Sequence, residues 1–323
     1  MSIEDLMNLD VFSVNVLGTH THLEDEWMLG VQYMTMSMDG HLSGTRKLND
    51  NDVLPDFMVT PTEMTTHMSM IELMHGVSDD LTLMVMVPYL SKSMDHLTRT
   101  GMRFKTESQG IGDLKLSGHY TLFGNIQRDA FHALPWGPHR FILNFSISIP
   151  TGSTDEEDLT PNGRQKLPYP MQLGSGTYDP SLGITYLGQS ELWAWAAEAA
   201  ATLRIGRNNN DYRLGNAVHL SGWVSRKLSE STSLFLELEG HAKGNIKGAD
   251  PDLNPAMVPT ADPKRRGGER LDLSTGINLY LPSDEVNKGH RITIEAAIPI
   301  YESLDGPQLR MAWMFRLGWT WTY

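Results

Sequence analysis

The chain has 323 residues, a net charge of −13, 19 methionines, 29 glycines and no cysteine. The missing cysteine excludes disulfides, thiolate metal centres and cysteine nucleophiles, and the acidic balance argues against a nucleic-acid partner, because little in it would displace counterions from phosphate. Mean hydropathy is −0.30 and no apolar run reaches the roughly 18 residues of a membrane helix, whereas transmembrane strands need only about ten alternating residues and leave hydropathy low.

Residues 1–25 read as a periplasmic extension or inserted plug, and residues 26–323 as a barrel. The opening MSIEDLMNLDV has neither a basic start nor an apolar core segment, so it does not read as an export signal. The rest of the chain nevertheless suggests an exported protein whose signal is absent from this sequence. Twelve strands are expected, at 27–38, 63–75, 80–90, 112–123, 139–149, 180–188, 191–206, 215–228, 232–243, 269–282, 290–302 and 308–323. Their apolar residues recur with period two. In the first, Trp27, Leu29, Val31 and Tyr33 share one face, and Met28, Gln32, Met34, Met36 and Met38 the other. In the second, Glu72 shares parity with Met64, Met68, Met70 and Met74, and in the third Thr82 with Met84 and Met86.

Further strands place Trp193, Trp195, Leu234, Leu236, Leu238, Ile292, Ile294, Ile298 and Ile300 on the greasy face. The opposite face carries Glu72, Asp113, Lys115, His119, Glu198, Arg204, Glu237, Glu239, Asp272, Arg291, Glu295 and Arg316. Charges alternating with lipid-grade residues would face a lumen, because burial in hydrocarbon is costly. In the last strand Met311, Trp313, Phe315, Leu317, Trp319, Trp321 and Tyr323 alternate with small or polar residues, Met314 excepted. This aromatic ending resembles the C-terminal strand of bacterial outer-membrane barrels.

The links at 39–62, 91–111, 150–175 and 244–268 are long, and those at 76–79, 189–190, 229–231 and 283–289 are short, as outer loops and periplasmic turns should be. The link at 124–138 is long for a turn, and those at 207–214 and 303–307 are short for outer loops. Trp27, Trp193, Trp195, Trp319, Trp321 and Tyr323 then fall near the periplasmic ends of their strands. The expected fold is all-β: a 12-stranded antiparallel transmembrane β-barrel in a bacterial outer membrane, with outer-membrane lipid as its surroundings.

Methionine is the compositional anomaly, with 15 of the 19 at or before position 102. Parity turns those of three consecutive strands inward. Folding about the turn near residue 78 sets Met70 level with Met86 and Glu72 with Met84, with Met34, Met36 and Met68 nearby. Thioethers are soft ligands suited to Cu(I), so Met34, Met36, Met68, Met70, Met84 and Met86 form a candidate copper lining. His20 and His22 before the first strand, and Met94 and His96 in an outer loop, could capture the ion at either mouth. Two other readings stay open: a soft wall for an aromatic or lipid-like solute, and simple lumen packing.

The stretches GIGDLKLSGHYTLF (110–123), ILNFSISIPTGS (142–153) and LGSGTYDPSLGITYLG (173–188) resemble the outer-membrane transporters associated with the meta-pathway of phenol degradation. The resemblance covers roughly 110–323. It implies a barrel that passes a small molecule, and it brings no catalytic residues.

His67 and Ser69 share outward parity at the spacing of an outer-membrane phospholipase, but Met70-Ile71 replaces the Asn-Gly expected after the serine, and no outward Asn is placed to orient the histidine. No catalysis is expected. The function expected is transport or binding of a small solute, copper or an aromatic compound, without a required cofactor. A third reading is a structural barrel that docks a periplasmic protein through residues 1–25.

Overall fold

The computed structural model describes residues 20–124, 139–190, 192–282 and 289–323. In chain order the elements are β1 (Trp27–Gly44), β2 (Arg46–Leu48), α1 (Asp50–Val53), β3 (Val59–Ser78), β4 (Leu81–Thr98), β5 (Arg103–Ile111), β6 (Leu114–Phe123), β7 (His139–Ile149), β8 (Glu157–Thr160), β9 (Gly163–Lys166), β10 (Asp179–Gln189), β11 (Trp193–Thr202), β12 (Tyr212–Arg213), β13 (Ala217–Ser229), β14 (Thr232–Lys243), β15 (Lys247–Gly248), β16 (Gly268–Pro282) and β17 (Gly289–Thr322).

Eleven of these close an antiparallel ring in the order β1, β3, β4, β6, β7, β10, β11, β13, β14, β16 and β17, with β17 returning to β1 and with β2 and β5 paired outside it. The expected strands 290–302 and 308–323 run here as one element: β17 pairs with β16 over Gly289–Leu304 and with β1 over Leu304–Thr322. The seam is complete to its end, where Trp27 and Tyr323 exchange both backbone hydrogen bonds, at 3.1 and 2.9 Å. Closure leaves the ring without a free edge.

Alternation fixes the faces. In β14 Phe235, Glu237 and Glu239 are buried inside, while Leu234, Leu236 and Leu238 stand exposed outside at 45–48%. Outward Ile71, Leu83 and Val85 on β3 and β4 continue the apolar band. In β17 one residue faces the other way from expectation. Met311, expected outside, is 1% exposed, because the β1–β17 register steps from Ser37↔Trp313 to Met38↔Met311.

The early strands also run further than their apolar faces suggested. Past Tyr89 the outward residues of β4 are Ser91, Ser93, Asp95 and Leu97, yet its backbone pairs with β5 as far as Leu97. The expected outer loop at 91–111 is therefore mostly a hairpin, and much of 39–62 belongs to β1 and β3. The links at 79–80 and 230–231 are short, as expected, and the segments at 125–138 and 283–288 lie outside the described residues.

One outer loop turns inward. Between β7 and β10 the chain carries Leu167, Tyr169, Met171 and Leu173, each at most 6% exposed. Leu167 and Met171 pack with Met64 and Met94 of the barrel wall. Burying side chains of this size contributes about 1.5–3 kcal/mol each, enough to hold a polar loop inside the mouth. Tyr169 packs with Tyr212 and Ile246 from the two loops that follow.

Of the expected N-terminal extension, residues 20–25 are described and residues 1–19 are outside the described set. His22 donates its backbone N–H to inward Thr82 at 2.8 Å, and Arg140 donates to Thr21 at 3.1 Å. The segment therefore passes inside the short-turn end of the barrel.

Candidate functional site

The lumen has two unlike walls. On β1, β3 and β4 the inward positions form rows of thioethers: Met28, Met74 and Met84 are directly abreast, and so are Met38, Met64 and Met94. Met34 faces Met68 between them, and Met36 lies against Met314. The expected pairing of Met70 with Met86 and of Glu72 with Met84 is displaced. Glu72 faces Met86, and Met70 faces Pro88, because the turn is centred on Asp79 and Asp80 rather than near residue 78. Glu72 accepts a hydrogen bond from Gln32 at 3.0 Å.

The adjoining wall, on β14, β16 and β17, is ionic, and its Arg316 pairs across the seam with Met34. Arg316 donates to both oxygens of Glu239, at 2.7 and 2.9 Å, and to Glu295 at 2.6 Å. Arg270 donates to Asp272 at 2.9 Å, and His241 lies 3.4 Å from Glu239 and 3.6 Å from Asp272. Glu237 is 1% exposed within the same cluster. Charge-assisted bonds of this kind are short and strong because both partners are ionised. Between the walls a polar relay crosses four strands: His119 to Asn144 at 2.9 Å, Asn144 to Thr185 at 2.7 Å, and Thr185 to Glu198 at 2.9 Å.

The lower methionines and the relay border a lower cavity of about 340 Å³, lined among others by His20, Glu72, Met84, Met86, Lys115 and Arg291. Above it lies an upper cavity of about 430 Å³. Successive inward positions link the two: Ser146, Thr202 and His219 line the lower cavity, and Ser148, Arg204 and Ala217 the upper.

The expected metal-capture residues are dispersed. His20 Nε2 is 3.3 Å from the sulfur of Met28, and His22 faces Glu26 at 3.6 Å. Met94 and His96 occupy inward positions of β4 rather than a loop. His96 bonds Thr106 at 3.0 Å and stacks on Phe104. A different donor group forms on the ionic wall, where ligand atoms of His219, Glu239 and His241 lie within 4.8 Å of one another, although Glu239 already gives both oxygens to Arg316. His67 on the outer surface engages Tyr33 at 2.8 Å through Nδ1.

Two expected lumen charges serve the loops instead. Asp113 accepts from the backbone of Gly152 at 3.0 Å, and from the backbone and hydroxyl of Ser175, each at 2.8 Å. Arg204 pairs with Asp179. The close approach needs small residues, since a Cβ on Gly174 would lie 2.4 Å from both Asp113 and the Gly152 carbonyl. The Gly-x-Gly-Asp, Pro-Thr-Gly and Gly-x-Gly-x-x-Asp-Pro stretches thus converge into one knot that pins the inward loop. Sequence reasoning missed the loop and the inward His219, His241 and Lys243. Parity marks the last two beside Glu239, and the apolar run Leu167 to Met171 is unusual for a solvated loop.

Comparison with known proteins agrees with this geometry. An outer-membrane channel from Pseudomonas putida F1 matches at TM-score 0.64 with 14% identity, over 96% of this chain and 100% of that one. The β domain of the Bordetella autotransporter BrkA matches at 0.46 with 11% identity, over 93% and 100%, and the P. putida toluene transporter TodX at 0.43 with 10% identity, over 93% and 89%. At 14% identity the likeness to the first of these is one of fold. Among curated proteins none matches the chain. Residues 49–252 match the family described as "Putative MetA-pathway of phenol degradation", and the chain belongs to that family.

Proposed function

We propose that the chain is a bacterial outer-membrane channel that admits a small hydrophobic or aromatic solute and performs no catalysis. The observation that carries this reading is the closed ring with an apolar outer band and stacked internal cavities walled by thioethers and charge. The outward Trp27, Trp193, Trp321 and Tyr323, each between 36 and 43% exposed, stand where an interfacial girdle would sit. Counting the two halves of β17 separately, because they pair with different neighbours, gives the even number of crossings usual for such barrels. Polarisable methionines suit an apolar solute because they repack around its shape, and the family's link to phenol degradation points the same way.

Passage of Cu(I) is the second reading, favoured by the His20–Met28 contact. It has less support, because His22 and His96 make other contacts.

The barrel, refolded and placed in a planar lipid bilayer, should give discrete potassium-chloride conductance steps that millimolar catechol reduces reversibly. A bilayer that stays silent would overturn the channel reading. Steps unaffected by catechol but blocked by micromolar Cu(I) under anaerobic conditions would favour the second reading.

A further inference from the structure

The upper cavity has a charge balance opposite to that of the chain. Lys92, Arg204, Lys243 and Arg266 all line it, against the single carboxylate of Asp113. That carboxylate is saturated by Gly152 and Ser175, and Arg204 is neutralised by Asp179. Lys92 gives its ammonium to the carbonyls of Pro170 and Gln172, which are neutral. Among the described residues no carboxylate comes within ion-pairing distance of Lys243 or Arg266. Burial pushes the Arg266 guanidinium down to about 10, and no opposite charge offsets it. On a protein of net charge −13 such a cluster of cations around one cavity is anomalous.

Tyr169, Leu173, Leu214 and Ile246 face the same space, alongside the neutral polar Ser148, Gln172 and Ser175. A volume of about 430 Å³ lies within the range of small-molecule sites, roughly 300–1,000 Å³. A planar fork and a flexible ammonium beside an apolar wall match a ligand with a carboxylate at one end and a flat hydrocarbon body at the other.

We propose that the upper cavity is a binding site for a small aromatic carboxylate, held by Arg266 and Lys243 with its ring against Tyr169, Leu173 and Ile246. This deepens the channel reading and rests on it, naming an anionic class of solute. The ligand would supply the missing counter-charge on its way to the lower cavity, which continues from the upper one along β7, β11 and β13. Lys92 raises the local potential while tying the inward loop, so access and affinity share one residue.

The test is calorimetric titration of the full-length, detergent-folded barrel with benzoate and, separately, with its neutral isostere benzamide. Benzoate should bind with one-to-one stoichiometry and at least tenfold more tightly than benzamide. The Lys243→Gln, Arg266→Gln double variant should weaken benzoate at least tenfold and leave benzamide unchanged. Lys243→Arg, which keeps the charge, should stay within threefold of the parent and shows that mutation at this position does not by itself disturb the fold. Equal affinity for the two probes, or benzoate binding that survives the double variant, overturns the proposal. Because binding is read without a membrane, a barrel that conducts but ignores benzoate sinks this inference alone, and one that binds benzoate but never conducts sinks the channel reading.

Discussion

The methionine wall and the ionic wall solve the same problem, filling one side of a narrow lumen, by opposite physics. Thioethers gain from contact in any direction, so Met28, Met74 and Met84 can lie abreast with no fixed geometry between sulfurs. Arg316, Glu239 and Glu295 gain only in one arrangement, with nitrogens 2.6 to 2.9 Å from oxygens. The first wall should therefore tolerate change and adapt to a passing solute, and the second should hold the barrel's shape and fail sharply when one partner is removed.

The most severe way to probe that contrast is Arg316→Leu. It strands Glu239 and Glu295 in a buried setting, and removal of one partner from a buried pair costs about 3–5 kcal/mol. Urea unfolding of the refolded barrel, followed by tryptophan fluorescence, should lose about 4 kcal/mol, and replacing all three residues by leucine should recover most of it. An Arg316→Leu barrel as stable as the parent would erase the distinction between the walls. Next in size, Asp113→Ala leaves Gly152 and Ser175 without their acceptor and should cost about 3 kcal/mol. The same variant should raise single-channel conductance, because the inward loop loses its anchor.

On the methionine wall the effects shrink. Met94→Ala opens a void against Leu167 and Met171 and should cost about 2 kcal/mol. Met34→Leu together with Met68→Leu, a volume-conserving change, should cost less than about 1.5 kcal/mol; a larger loss would mean that this wall too has a fixed geometry. The smallest effect lies outside the barrel wall. Asp155 is held below its ordinary 3.8, first by its hydrogen bond to Lys166 and then by that to Asn210. A depressed folded value means its contribution is complete above about pH 4 and fades as the pH falls through that value. Pepsin should then nick 155–166 progressively faster as the pH is lowered from 4.5, measured against Lys166→Met at each pH, and the difference between the two should close at the acid end.

The two walls were legible in the sequence to different depths. Which residue faces inward followed from period two alone, so Glu239 and Met74 could be given the same side without any partner in view. Which residue meets which did not, because a turn centred on Asp79 and Asp80, about one residue beyond the expected point, slides Glu72 from Met84 to Met86. Strand length was misjudged where the outward face turns polar after Tyr89, since hydropathy marks the apolar band and not the hydrogen-bonded ladder. The inward loop escaped because parity says nothing about a segment that enters the lumen from above. The recognisable family stretches turn out to mark the knot around Asp113, a device for holding that loop, so they identify the scaffold while leaving its cargo open.

The seam between β1 and β17 has a bearing on how the chain reaches its native state. Trp27 and Tyr323 hydrogen-bond across the closure, so the last pairing to form joins positions separated by nearly the entire chain. Closing so long a segment costs entropy that grows only slowly with length, but the contacts that reward it arrive late, which slows topologies rich in distant pairings. Until then both outer strands offer unpaired amides to any neighbour. Refolding yield should therefore fall with protein concentration more steeply than the stability of the finished ring would suggest, and a peptide copying β17's final stretch should compete for β1 only before closure.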